Sequence, residues 1–147
     1  MPKLVQSQSL PKLLEDLRAS STALNQVTDD AANLVKQVEN FLNKECSVGI
    51  PAQVNVEWDD DREEGVWLEY RRVGANFRIA LVSGDPGDEN PSVRPWSDCT
   101  REEKLESIGK LPELISSISE NVNKKLAESK DAIAKLSDLL HGIMKED

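Results

Sequence analysis

Residues 10–45 read LPKLLEDLRASSTALNQVTDDAANLVKQVENFLNKE. Apolar side chains recur in this stretch every seven residues. Leu10, Leu17, Leu24, Ala31 and Val38 hold one position, Leu13, Val27, Leu34 and Phe41 the other, and Ser20 is the single interruption. Such a repeat marks a helix whose seam needs another helix to cover it. Ser9 stands where an N-cap belongs, and Pro11 falls in the first turn, where a missing N–H does no harm. Two polar clusters, Ser20-Ser21-Thr22 and Thr28-Asp29-Asp30, offer hydroxyls and carboxylates that compete for backbone hydrogen bonds. The heptad phase passes through both unchanged. The spacing therefore predicts one helix over residues 10–45, ending before Gly49 and Pro51, with residues 1–9 as a loose arm ahead of it.

The stretch that follows changes period. Val54, Val56 and Trp58 alternate with Asn55 and Glu57, the signature of a half-buried strand, and that alternation turns Trp58 toward the core. A polar run, Asp59-Asp60-Asp61-Arg62-Glu63-Glu64-Gly65, reads as a loop. A second strand is expected from Val66 to Val73 and a third from Phe77 to Ser83, with Gly74-Ala75-Asn76 turning the chain between them. A two-residue turn places Leu68, Tyr70, Phe77, Ile79 and Leu81 on one face and Glu69, Arg71 and Arg78 on the other; a three-residue turn would mix the sets. Trp67 falls on the more polar face. The sheet is thus expected over residues 52–84, and residues 85–99, with their Gly, Pro and Asp, as a surface loop.

Thr100 and Glu103 have the spacing of a capping box, opening a second helix over residues 100–145. Its apolar stripe includes Leu105, Ile108, Leu111, Ile115, Ile118, Val122, Leu126, Ile133, Leu136, Leu140 and Ile143, and Pro112 should kink it near Gly109. The run from Arg101 through Leu105, Ile108, Leu111-Pro112 and Leu114-Ile115, following strands that carry Trp, resembles a pattern in small uncharacterised bacterial proteins. It covers about a tenth of the chain, and the resemblance implies no activity.

Composition narrows the function classes. The 147 residues suit a single domain, 1–147, and six aromatic residues leave the core to aliphatic side chains. The net charge is −9. Residues 51–99 hold eleven acidic and five basic side chains, which argues against a nucleic-acid partner because phosphate binding depends on Lys and Arg. Cys46 and Cys99 lie far apart and His141 is the lone histidine, so no common zinc pattern exists; both thiols read as reduced packing residues. The first residues lack the apolar core of a signal peptide, and no run approaches a membrane span. A cytoplasmic location with no membrane partner is the expectation.

Few residues invite a chemical role. The carboxylates of residues 59–64 lack the alternating ligands and central Gly of a calcium loop and read as a solvated hairpin tip, so no metal site is expected. Arg71, Arg72 and Arg78 crowd one hairpin and could grip an anion, but neighbouring glutamates explain them as ion pairs. Phosphate loops, nucleophile elbows and cofactor motifs are missing, so neither catalytic residues nor a cofactor is expected.

The reading is an α+β chain: long helix, three-stranded antiparallel meander, long kinked helix. The helices should overhang so short a sheet, and a homodimer making a four-helix layer completes them. The residues assigned to that dimer or helix seam are Leu10, Leu17, Leu24, Val27, Leu34, Val38, Phe41, Ile118, Val122, Ile133, Leu136 and Leu140. The expected function is a non-enzymatic interaction protein, an adaptor, chaperone or assembly factor. Trp67, Glu69, Arg71 and Arg78, together with the loop from Gly84 to Pro95, form its expected surface for a ligand or protein partner. The alternatives are an anion-binding regulatory module on that same surface and an acidic inhibitor that mimics nucleic acid.

Overall fold

A computed structural model describes residues 9–145 of the chain. The expected loose arm, residues 1–9, lies outside the described residues apart from Ser9. Helix α1 runs Leu10–Asn40 and closes in a π-helical turn, Phe41–Glu45. The Ser9 hydroxyl accepts the Lys12 N–H at 3.4 Å, as an N-cap should. Neither polar cluster interrupts the helix. Thr22 and Thr28 donate their hydroxyls to the carbonyls of Arg18 and Leu24, one turn back, at 3.0 and 2.8 Å. Hydroxyls satisfied inside the helix do not compete with it.

The sheet has four antiparallel strands, β1 (Ala52–Asp59), β2 (Glu64–Val73), β3 (Asn76–Gly84) and β4 (Ser92–Pro95), in the order β1-β2-β3-β4. The expected meander of three strands is one short, because β4 and a 3₁₀ turn (Trp96–Asp98) lie within residues 85–99, read as loop. Four residues ending in Pro give little strand signal, yet Pro is tolerated on an edge strand, which is where β4 sits. Gly74 and Ala75 make the two-residue turn of the β2–β3 hairpin, closing Val73 against Asn76. Gly74 has φ +65°, the left-handed value such a turn demands at its first position. Leu68 and Tyr70 accordingly face Leu81 and Ile79 on the helix side.

β1 departs from simple alternation. Its pairing with β2 slips between Asn55 and Glu57, a bulge in which Val56 is the extra residue. A bulge carries every later side chain to the opposite face. Trp58 therefore stands opposite Gly65 on the face that carries Trp67, not in the core as alternation required, and it is exposed. A Cβ on Gly65 would come within 2.8 Å of the indole, so the missing side chain is what lets the ring lie there.

The expected single helix over 100–145 is two. Helix α2 (Arg101–Ile108) ends at a Gly109-Lys110 turn, and α3 (Leu111–Lys145) begins again with Pro112 in its first turn. The proline removes a helical N–H and crowds the preceding carbonyl, and here the outcome is a full break. The capping box is formed: the Thr100 hydroxyl accepts the Glu103 N–H at 3.2 Å, and the Glu103 carboxylate accepts the Thr100 N–H at 2.9 Å.

The core lies between one face of the sheet and the helices. Ala31, Val35 and Leu42 come from the first helical segment, Leu111, Leu114 and Ile118 from α3, and Ala52, Leu68, Tyr70, Ile79 and Leu81 from the sheet. Trp96 and Cys99 complete it. The Trp96 indole donates to the Ser107 hydroxyl at 2.9 Å, and that hydroxyl donates to the Glu103 carbonyl at 2.8 Å. Glu39 accepts the backbone N–H of Ile79 at 2.7 Å, where β3 runs on past the end of β4. Of the two thiols expected to pack, Cys99 is buried, which pushes its pKa up, whereas Cys46 is exposed.

Arg94 on β4 grips Glu103 on α2 with two guanidinium nitrogens. That bond, aided by the Thr100 N–H, holds the Glu103 carboxyl at about 2, below its ordinary 4.5. A carboxyl depressed in the folded state stabilises it fully above its unfolded pKa, and the contribution is lost as pH falls through the folded value. Melting temperature should thus drop between about pH 4.5 and pH 2. Glu103→Gln should melt lower at neutral pH and show a shallower acid drop. Thermal melts across that window check this; an unchanged acid slope in the variant would refute the role of the pair.

Candidate functional site

Two surfaces combine groups that the fold itself does not use. The first is the uncovered length of the two long helices. At 1.5 Å per residue α1 is roughly 47 Å long and α3 roughly 53 Å, against about 30 Å for the strands. At 100° per residue, Leu10, Leu13, Leu17 and Leu24 fall within the same sector of about 80° as Ala31, Val35 and Val38. Along α3, Leu126, Ile133, Leu136, Leu140 and Ile143 share a sector with Leu111, Ile118 and Val122. Each helix has one apolar stripe, and only the half over the sheet is buried. Leu17 is 61% exposed and Ile133 67%. α1 rests mainly on α2 and β3, and α3 on β1 and β2.

The residues assigned to the seam therefore divide. Ile118 is buried against the sheet, and Val38 and Val122 are packed beside it. Leu10, Leu17, Leu24, Ile133, Leu136 and Leu140 continue the stripes into the free arms, all exposed. Val27, Leu34 and Phe41 are exposed too, on the flank of α1. No helix of the described residues is long and apolar enough to cross a membrane.

The second surface is the sheet face away from the helices. Trp67 is half-buried there, opposite Asn55 on β1 and Val82 on β3. Glu69 is beside it, with the Arg71 guanidinium 3.7 Å from its carboxylate. Burial raises the Glu69 pKa, an effect the Arg71 charge only partly opposes. Arg71 and Arg78 stand directly opposite in register, a like-charge pairing. The arginines part: Arg78 donates to the Ser97 hydroxyl at 2.8 Å and lies 3.7 Å from the Glu39 carboxylate. The structure thus keeps Trp67, Glu69 and Arg71 together and commits Arg78 elsewhere.

The loop after β3 folds back over this face. Asp85 accepts the Gly87 N–H and Asp88 the Asn90 N–H, each at 2.9 Å, and these turns bring Asp85, Asp88 and Pro91 to the rim of a cleft of about 250 Å³ shared with Trp58, Trp67 and Glu69. Trp58 is the residue that sequence reasoning placed elsewhere, whereas Asp85 and Asp88 belong to the loop expected to border the partner surface. The bulge that turns Trp58 outward leaves no sequence mark beyond Gly65 opposite it.

The acidic run 59–64 builds its own hairpin tip. Asp59 accepts the N–H groups of Asp61 and Arg62 at 3.0 and 3.4 Å, and Asp60 accepts the Trp58 indole N–H at 2.7 Å. Among the described residues no three His, Cys, Asp or Glu side chains gather as metal ligands. A larger groove, about 710 Å³, lies between α1 and β3, bordered by Lys36, Lys44, Asn43 and Phe77. Its central polar groups are engaged within the fold: Asn43 accepts from the Tyr70 hydroxyl and donates to the Phe77 carbonyl, and Glu39 holds the Ile79 N–H.

No family model matches the chain, and neither a curated protein nor a solved structure matches it.

Proposed function

We propose that this chain is a non-enzymatic interaction protein, of the adaptor or assembly-factor kind, that works as a helical homodimer. The observation carrying the proposal is the pair of apolar half-stripes left exposed on α1 and α3. Contiguous apolar surface of this extent marks an interaction site rather than ordinary solvent exposure.

Charge favours a second copy as the occupant. Residues 10–30 carry Lys12 and Arg18 against Glu15, Asp16, Asp29 and Asp30, two negative charges in excess. Residues 123–145 carry Lys124, Lys125, Lys130, Lys135 and Lys145 against Glu128, Asp131 and Asp138, two positive in excess. The α1 arm of one copy complements the α3 arm of another in both apolar stripe and charge sign. A two-fold axis makes that contact twice, giving the closed, self-complementary interface of a C₂ dimer. Multi-angle light scattering at micromolar concentration is expected to return twice the chain mass of 16.3 kDa. A fully helical protein of single-chain mass would overturn the dimer.

A further inference from the structure

We propose that the cleft between Trp58 and Trp67 is a receptor for a cationic side chain, and that its occupant is an arginine of a partner protein. The proposal deepens the interaction reading by naming what the sheet face recognises; it does not depend on the dimer.

Three properties of the cleft point the same way. Its volume of about 250 Å³ is below the roughly 300–1,000 Å³ of small-molecule sites, which leaves room for one side chain rather than a cofactor. Two indoles line it, and indole is the aromatic ring whose face attracts cations most strongly. Glu69, Asp85 and Asp88 stand around the same cleft. Each aspartate uses one carboxylate oxygen in its own turn, and Glu69 has Arg71 as its ion-pair partner at 3.7 Å. A half-buried carboxylate with so loose a partner gains from a second positive charge brought against it.

The arrangement selects among cations. The carboxylates do not converge as a metal-ligand group, so a point charge is poorly served. Guanidinium suits them better than ammonium: it is planar, stacks on aromatic faces, presents several donors at once and is less strongly hydrated. The acidic rim also draws a basic partner toward the cleft, since residues 51–99 carry six negative charges in excess.

The probe is N-acetyl-arginine amide, with N-acetyl-citrulline amide as its neutral isostere, titrated into the intact chain while the three indole N–H resonances are followed. Trp58 and Trp67 are expected to shift saturably, with a dissociation constant on the order of a millimolar for so small a ligand. Trp96, buried beneath α2, should stay in place and reports that the fold is intact. Citrulline should bind at least about tenfold more weakly, as should arginine to Glu69→Gln, since each removes one member of the charge pair. Asp88→Asn tests the same charge dependence from the loop, should Glu69→Gln perturb the sheet. The proposal is overturned if the wild-type resonances do not move, if citrulline binds as well as arginine, or if the folded variants bind unchanged. Binding of the lysine analogue equal to arginine would overturn the choice of guanidinium. A single-chain mass in light scattering would defeat the dimer and leave this titration untouched.

Discussion

Leu17→Asp should dissociate the protein into folded monomers, raising the dissociation constant by at least about a hundredfold, because an unpaired charge in a buried seam costs several kcal/mol. The fold of the single chain should be indifferent to the change. Leu17 is 61% exposed there, and surface substitutions of that kind move stability by only about 0.5 kcal/mol. Sedimentation velocity separates the two readings: a halved mass with full helicity supports arm-to-arm assembly, and an unchanged association constant refutes it. Ile133→Asp places the same lesion on α3 and should act alike, since in an α1-to-α3 contact the two positions lie in one interface.

Trp96→Ala should have the largest effect on the fold itself, a loss of about 3–5 kcal/mol as for other buried aromatic truncations. The side chain is almost fully buried, at 1% exposure. It joins the edge of the sheet to α2, with the Lys104 ammonium 5.3 Å from the ring centre and the Ser107 hydroxyl accepting the indole N–H. Removing it empties the space beneath α2 and strips Ser107 of its donor. Chemical denaturation measures the loss. A value below about 1 kcal/mol would mean that α2 collapses onto the void, and that the Trp96 contact is not what holds the helix to the sheet.

Trp96 also shows where the sequence stops being legible. The long helix, the β2–β3 hairpin and the capping box each have a local period or a fixed spacing, and each formed where that pattern placed it. Trp96 belongs to a segment whose pattern is Gly, Pro and Asp, and what makes it core is contact with Ser107, eleven residues further on. β4 has the same character: its four residues are a strand because β3 offers them an edge. Pro112 was legible as a disturbance, but whether a helix bends or breaks depends on the packing of both halves.

The candidate surface was half legible for a related reason. Trp67, Glu69 and Arg71 share a face by simple alternation within one strand, and the structure keeps them together. Arg78 has the right parity too, yet it stands near the start of β3, and the Glu39 carboxylate of α1 lies within its reach. Trp58 was assigned to the wrong face because one added residue, Val56, inverts the rest of β1. Period-two reasoning contains no term for an insertion.

The hydrogen bond from the Ile79 N–H to Glu39 has a consequence for solubility. β4 pairs with β3 only from Ala80 to Ser83, so the first residues of β3 have no strand beside them and are met only by Asn43 at the Phe77 carbonyl and Glu39 at the Ile79 N–H. Such an edge is a template onto which a strand of another molecule can add, the first step toward ribbons and fibrils. Glu39 occupies the amide that an incoming strand would need, and its negative charge repels the carbonyls that the strand would bring. The arms of the helices stay free while this edge is stoppered, so open-ended strand stacking is blocked at the place where the sheet would otherwise admit it.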